Sequence, residues 1–300
     1  MTSMMGRVID DRTETSGGET ALITGCSTGI GRKTVRAFLA ADWTVYATAR
    51  DRHDLGGLAD RGAKTAALDV TNEANVTAVV DGVLTAEGRI DCLVNNAGYG
   101  QLGAVEDVPT SDVVRQFDVN VFGPHRLVRA VLPHMRSRDA GRIVNVSSAV
   151  DRFVLPGTGV YCGSKFALRA MSDALRQELY GTGVDVVVIE PWLTATDFFE
   201  RAVDETRRLK RSQHHTGLYD LLGRLEAVDA DVPGVADSSV VAKTILRAAT
   251  EENPDAYYLM SLLARCWIAA GSLLSDRRRD AVTNLAISLL AGDGESRRPR

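Results

Sequence analysis

The chain is poor in cysteine, in long uncharged apolar runs and in net charge, and each shortage excludes a class of protein. Its four cysteines, Cys26, Cys92, Cys162 and Cys266, are far apart and form neither a Cys-x-x-Cys pair nor a ligand cluster with the five histidines. A disulfide scaffold and a structural metal site are therefore excluded, and a reducing, cytoplasmic setting fits. The N-terminus has no apolar stretch of the signal-peptide kind, and the longest apolar run, 259–274, is interrupted by Arg265 and short for a spanning helix. A net charge of -4 and a pI near 5.8 argue against a general nucleic-acid binder, leaving the basic clusters at 277–279 and 297–300 to read as solvated. Neither an internal repeat nor a linker is visible.

What remains is 300 residues with 45% hydrophobic side chains, enough for one large α/β core. Residues 1–18 read as a flexible tail, 19–290 as the domain, and 291–300 as a disordered basic end. Within the domain, apolar strands over 20–24, 44–48, 64–68, 91–94, 143–146, 184–189 and 256–260 alternate with helical patterns over 33–41, 76–84, 111–117, 119–138, 238–249, 261–274 and 280–290. A further helix opens at Tyr161, with Ala167, Leu168, Met171, Leu175 and Leu179 at helical spacing. The alternation predicts a Rossmann-type doubly wound parallel sheet of about seven strands, with ligands at the carboxyl ends of the strands. Only 197–234 breaks the rhythm, and a long charged segment after a strand end predicts a lid or substrate loop. His214 and His215 lie within it and read as exposed.

Between the first strand and its helix stands Gly25-Cys26-Ser27-Thr28-Gly29-Ile30-Gly31. Gly25 permits a tight turn, Gly29 lets the backbone approach a pyrophosphate, and Gly31 allows close packing of helix on strand. The second strand ends in Ala49-Arg50. NAD sites usually carry a carboxylate here for the ribose 2′-hydroxyl, whereas an arginine accommodates a 2′-phosphate. The expectation is NADP(H) rather than NAD, with Asp51 as a competitor for the ribose and a plain surface arginine as the simpler alternative. Tyr161 and Lys165, four residues apart, share one helix face, so a positive charge can pull a phenol toward the working range of an acid/base.

Thr24-Gly25-x-x-x-Gly29-Ile30-Gly31, Asn95-Asn96-Ala97-Gly98, Asn120, Ser148 and Tyr161-x-x-x-Lys165 occur together in this order. In this the chain resembles the short-chain dehydrogenase/reductase family over roughly 19–290. Cys26-Ser27-Thr28 and the run 45–50 are closest in wording to the hydroxysteroid and retinol dehydrogenase branch. The resemblance implies that Tyr161 is the acid/base, that Ser148 binds the reacting oxygen, and that Lys165 holds the nicotinamide ribose and depresses the phenol pKa. It implies that Asn120 fixes a water leading to solvent, that Asp69 and Val70 meet the adenine, and that Asn95 steadies the sheet. The cofactor set is then Gly25, Ser27, Thr28, Gly29, Ile30, Gly31, Arg50, Asp69, Val70, Asn96, Ala97, Gly98, Tyr161, Lys165, Pro191 and Thr196. Ser147 is the rival to Ser148, although the thirteen-residue spacing to Tyr161 favours the latter.

One position departs from the family pattern: Trp192 follows Pro191 where a glycine is usual, beside the substrate together with Ser148 and Tyr161. The reading is an NADP(H)-dependent oxidoreductase interconverting a secondary alcohol and a ketone, or an aldehyde and a primary alcohol, on a small, mainly hydrophobic molecule. The alternative is a catalytically silent dinucleotide-binding sensor or scaffold of the same fold. A homodimer or homotetramer is implied by the resemblance. The 259–274 run with Trp267 could also rest on a membrane surface, but packing against its own core or a twin is the favoured expectation.

Overall fold

The computed structural model describes residues 18–227, 235–272 and 274–291, so most of both expected tails and the stretch 228–234 of the expected lid lie outside the described residues. The first half of the chain forms β1 (Thr20–Ile23), α1 (Gly29–Leu39), β2 (Thr44–Ala49), α2 (Gly56–Ala59), β3 (Lys64–Ala67), α3 (Glu73–Glu87) and β4 (Cys92–Asn95). Next come α4 (Thr110–Phe117), α5 (Gly123–Ser137), β5 (Gly141–Val146), α6 (Gly159–Glu178) and β6 (Val184–Glu190). The last part holds β7 (Thr194–Ala195), α7 (Phe198–Arg207), α8 (Thr216–Gly223), β8 (Ala236–Asp237), α9 (Ser238–Thr250), β9 (Tyr257–Leu259), α10 (Leu262–Ser272) and α11 (Asp276–Ala291).

Seven strands make one parallel sheet in the order β3-β2-β1-β4-β5-β6-β9, and β7 pairs with β8 in a small second ladder. Successive side chains of a strand point to opposite faces, so each central strand feeds two cores. Ala21 and Ile23 of β1, Val94 of β4, Val144 of β5 and Ile189 of β6 pack under α1 and α9, with Val35, Phe38, Val241 and Ile245. Leu22, Leu93, Ile143 and Val186 face the other way, against Val80 of α3, Leu127 and Val131 of α5, and Leu175 of α6. Burial on both faces explains why these strands read as continuous apolar runs. The order reverses between β1 and β4, and the crevice at the carboxyl ends of these two strands is where such sheets bind ligands.

Several boundaries differ from the sequence reading. The first helix starts at Gly29, not Lys33, because the last glycines of the turn already belong to it, with Thr28 extended at its N-cap. The predicted helix 119–138 is a wide turn, Asp118–Phe122, followed by α5, where Pro124 occupies the tolerated first turn. The stretch 197–227 is not irregular: it holds the charged helix α7 and the mainly apolar helix α8, both short and ordered by tertiary packing. Ala202, Leu209, Tyr219 and Leu222 bury there against Leu102, Ala104 and Val108. The last helix begins at Asp276, one turn before the expected Asp280.

Gly31 shows how tightly the turn is built. A Cβ there would lie 2.3 Å from the Gly25 carbonyl oxygen and 2.5 Å from Asn96 Nδ2. Gly31→Ala is expected to cost about 1–3 kcal/mol by overpacking, read as a lower midpoint of denaturant unfolding with an unchanged slope.

Candidate active site

The crevice begins with a crosslink between β1 and β4. Thr24 Oγ1 accepts hydrogen bonds from the backbone N–H groups of Asn96 and Ala97, both at 3.0 Å. In return Asn96 Nδ2 donates to the carbonyls of Thr24 and Gly25, at 2.9 and 3.0 Å. The glycine turn is thus held in place by the strand end beside it, and Gly25 is required twice over: its φ of 70° is left-handed, and a Cβ there would lie 2.8 Å from Ala97 Cα. Asn95 Nδ2 bonds Asn145 Oδ1 across β4 and β5 at 2.8 Å, joining the two polar residues that face each other in the sheet.

The start of α1 has no capping side chain and no acidic residue in its first turn. Its N–H groups and the positive end of its dipole are therefore available to an anion, as a dinucleotide pyrophosphate requires. Beside it lies a polar cavity of about 330 Å³ lined by Ser27, Thr28, Ala49, Arg50, Asp54 and Arg201. Arg201 comes from α7, far along the chain, and its guanidinium donates to Thr28 Oγ1 at 3.4 Å. The carboxylate of Asp51 accepts from the His53 N–H at 2.8 Å, as a cap of the next turn. Arg201 was not foreseen, since nothing local marks it among the arginines of a charged helix.

Asp69 closes on Thr71, accepting from its N–H at 2.9 Å and its hydroxyl at 2.7 Å. Burial opposes its charge, but these hydrogen bonds and the nearby Arg50 and Arg126 hold the carboxyl below its ordinary value. Val70 is buried against Gly123, and its carbonyl accepts from Arg126. Ile30 is half-buried in α1, packed against the core beneath the turn. Thr196 sits across the turn: its Cγ2 lies 3.0 Å from where a Cβ on Gly29 would be, and its Oγ1 accepts from the Phe198 N–H at 3.3 Å. The Pro191 carbonyl accepts from Ala149 N–H at 2.8 Å, tying the end of β6 to the turn after Ser148.

At the centre stand Ser148, Tyr161 and Lys165. Ser148 caps the short turn Ala149–Asp151 after β5, and Tyr161 lies in the first turn of α6. Ser147, the rival, is buried and donates to Asp151 Oδ2 at 2.6 Å, which leaves Ser148 against the phenol. Lys165 is buried, donates to the Val146 carbonyl at 2.9 Å, and holds its Nζ 5.9 Å from the centre of the Tyr161 ring. Burial pulls its pKa down to about 8, with Asp151 opposing.

Burial works against the expected lowering of the phenol. Burial pushes the Tyr161 hydroxyl up, Cys162 and Asp151 add to this, and only the interaction with Ser148 works the other way. A low-dielectric pocket penalises phenolate and ammonium alike, so a lysine whose own charge is discouraged is a weak source of compensation.

Asn120 also differs in detail. Its Oδ1 accepts from Tyr99 N–H at 3.2 Å, and its Nδ2 donates to the Tyr99 carbonyl at 3.0 Å and to Ser164 Oγ at 3.1 Å. The amide is committed to these partners. Asn120 stands in the wide turn Asp118–Phe122, where Gly123 N–H bonds the Asp118 carbonyl five residues back. Gly98 lies directly above, 3.2 Å from Asn120 Oδ1 and 3.8 Å from Lys165 Nζ as measured from an added Cβ.

The remaining walls are apolar. The Phe198 ring lies 5.3 Å from that of Tyr161, and Trp192 lies 5.5 Å from Phe153. Phe153, Ala149 and Ala264 form a cluster with Leu155, Trp192, Trp267 and Ile268, so α10 packs beside the Ser148 turn. No described helix is long and apolar enough to cross a membrane, and no described group of side chains could hold a metal ion.

The sequence profile of the short chain dehydrogenase family matches residues 19–207. Human 17-beta-hydroxysteroid dehydrogenase type 1 is 37% identical over 209 residues, 65% of this chain and 63% of that protein. The probable short-chain type dehydrogenase/reductase VdlC of Helicobacter pylori is 30% identical over 271 residues, 89% of this chain and 97% of its own. A short-chain dehydrogenase structure from Streptomyces avermitilis superposes with a TM-score of 0.74 at 29% identity, covering 95% of this chain and all of that one. Among further similar structures, a serine dehydrogenase is complexed with NADP+ (TM-score 0.72, 27% identity; 81% and 95% of the two chains), and a Burkholderia phymatum enzyme with NAD (0.73, 25%; 84% and 92%). The glycine turn, the Asn96 clamp and the Ser148-Tyr161-Lys165 cluster thus stand in a chain that belongs to the short-chain dehydrogenase/reductase family.

Proposed function

We propose that the protein is an NADP(H)-dependent oxidoreductase that interconverts an alcohol and a ketone or aldehyde on a small, mainly apolar molecule. The observation that carries this is the meeting of Ser148, Tyr161 and Lys165 at the carboxyl end of the sheet, beside an uncapped helix start. The bound nicotinamide supplies or accepts the hydride. In the reducing direction Tyr161 Oη gives its proton to the substrate oxygen and Ser148 hydrogen-bonds that oxygen. Lys165 steadies the resulting phenolate and binds the ribose. The Asn120 backbone carbonyl holds the water through which Tyr161 is reprotonated.

Preference for NADP(H) rests on the two guanidiniums, Arg50 and Arg201, that line one cavity with the hydroxyls of Ser27 and Thr28. Asp51, the competitor for a ribose 2′-hydroxyl, is engaged as a cap. A 2′-phosphate fits this donor set, and α7, with Thr196 on the glycine turn and Phe198 on Tyr161, acts as a lid over the bound cofactor. Substrate is taken between Phe198 and the Trp192–Phe153 wall, which favours an apolar body. Trp192 has an aromatic partner, and so gives the silent-sensor reading little support. Exposed Val114, Phe122, Phe166 and Met171 on and beside α4 and α6 support a homo-oligomer assembled through those helices.

Tyr161→Phe is expected to lower turnover by about 10²–10⁴-fold, the usual worth of a positioned acid/base, with NADPH binding kept. NADPH consumption against a panel of hydrophobic ketones, steroids and diones checks it; full activity on any true substrate would contradict the mechanism. Arg50→Ala and Arg201→Ala are each expected to weaken NADPH binding about ten- to a hundredfold, the loss of one charge-assisted hydrogen bond, while leaving NADH binding little changed. Fluorescence titration with the two nucleotides reads this directly, and equal losses for both would remove the case for a 2′-phosphate pocket.

A further inference from the structure

Beneath the site lies a buried polar group that the mechanism does not use. Asp151 closes the turn that Ser148 caps, and its side chain is wholly buried. Its Oδ2 accepts from Ser147 Oγ at 2.6 Å, but Oδ1 receives no N–H or O–H from any described residue. The nearest cation, Arg152 Nε, is 3.9 Å away and already serves Glu190, bonding both carboxylate oxygens of that buried residue at 2.9 Å. Arg169 Nε of α6 approaches Glu190 at 3.8 Å, and its guanidinium lies over the Tyr257 ring of β9. From α6, Tyr161, Cys162 and Lys165 also feel the Asp151 charge.

A buried carboxylate oxygen without a donor is costly, and a second buried carboxylate beside it adds repulsion. One proton resolves both: placed on Asp151 Oδ1 it removes the repulsion and makes that oxygen a donor toward Glu190. We propose that Asp151 is a charge-setting positioning residue, protonated on Oδ1 in the native protein at slightly acid pH, whose ionisation places a negative charge beneath Lys165 and Tyr161. Burial first, and Glu190 second, push its carboxyl up to about 7, against the Ser147 hydrogen bond and Arg169. When Asp151 ionises it favours the ammonium of Lys165 and disfavours the phenolate of Tyr161. Its catalytic consequence rests on the Tyr161-Lys165 mechanism proposed above; the coupling to Lys165 does not.

The sign of the stability effect follows from linkage. A carboxyl whose folded value is raised keeps its proton in the native state while the unfolded chain has lost it. Its contribution is complete below the ordinary value of 3.8 and is lost as pH rises to about 7. Asp151→Asn keeps the shape, an acceptor for Ser147 and a donor for Glu190, but does not titrate.

The test uses the whole protein without added nucleotide or substrate. Denaturant unfolding of wild type and Asp151→Asn is compared across that window. The ratio of their folding constants is expected to move in favour of the variant by up to about tenfold per pH unit, and to be flat on either side. In parallel, protein labelled with ¹³C at lysine Cε is titrated by NMR, the Lys165 signal being assigned by its loss in Lys165→Met. In the variant its midpoint is expected below that of the wild type, near 8. A flat stability ratio would mean that native Asp151 is charged throughout, and an unmoved lysine midpoint that no coupling exists; either result overturns the proposal. If Asp151→Asn does not fold, the lysine titration is made on Asp151→Ser, with the same two outcomes. Because neither readout uses turnover, failure of the Tyr161→Phe experiment and failure here remain distinguishable.

Discussion

The paired hydrogen bonds between Thr24 and Asn96 are the constraint on which the rest depends. Two strands that diverge in sequence order meet at β1 and β4, and their carboxyl ends must stay a fixed distance apart for the crevice to have a shape. A threonine hydroxyl that accepts two backbone N–H groups, and an amide that donates to two carbonyls, satisfy four backbone groups that a cleft would otherwise leave unpaired. They also explain the glycines. Gly25 and Gly31 are small because the Asn96 side chain and the Ala97 backbone occupy the space a Cβ would need. The glycine turn is therefore shaped from below by β4 before any ligand bears on it.

Above that clamp the dominant physics is desolvation. Lys165, Tyr161, Cys162 and Asp151 are each driven toward their neutral forms by burial, and the network mostly modulates this. A site with net charge carried by solvated groups would follow bulk pH. Here one buried carboxyl sits within reach of an amine with a pKa near 8 and a phenol well above its ordinary range, so each protonation step changes the cost of the next. The Glu190–Arg152 pair holds this arrangement in place: its bidentate geometry anchors the end of β6 to the turn that carries Ser148. The cations stacked on Tyr257 extend the same anchorage to β9.

Much of the fold was legible because burial on both sheet faces writes itself as apolar runs, and because glycine, asparagine and tyrosine motifs mark strand ends. All seven predicted strands of the main sheet are present within a residue or two, and of the two adjacent serines Ser147 is turned to Asp151 while Ser148, the one that spacing favours, interacts with the Tyr161 phenol. What stayed illegible has particular causes. α7 and α8 are too short, at ten and eight residues, to declare a helical period of their own, and owe their order to partners such as Leu102 and Val108, about a hundred positions away in the chain. In sequence nothing distinguishes Asp151 from other carboxylates; the neighbouring Glu190 and the closed surface around it reveal its cost. Helical spacing reports the nearness of Lys165 to Tyr161 but not the burial that opposes charge on both.

In water a lysine four residues away would lower a phenol by simple attraction; a buried lysine must first retain its own proton. The ammonium is favoured by negative charge nearby, yet such charge also raises the phenol. The two requirements conflict, and a single fixed anion cannot serve both. A carboxyl that titrates close to neutrality is a compromise between them: protonated, it relieves the phenol, and ionised, it secures the lysine. Its place in the turn capped by Ser148, bonded to Ser147 and shielded from solvent, puts that balance under the control of the strand end that also carries Ser148.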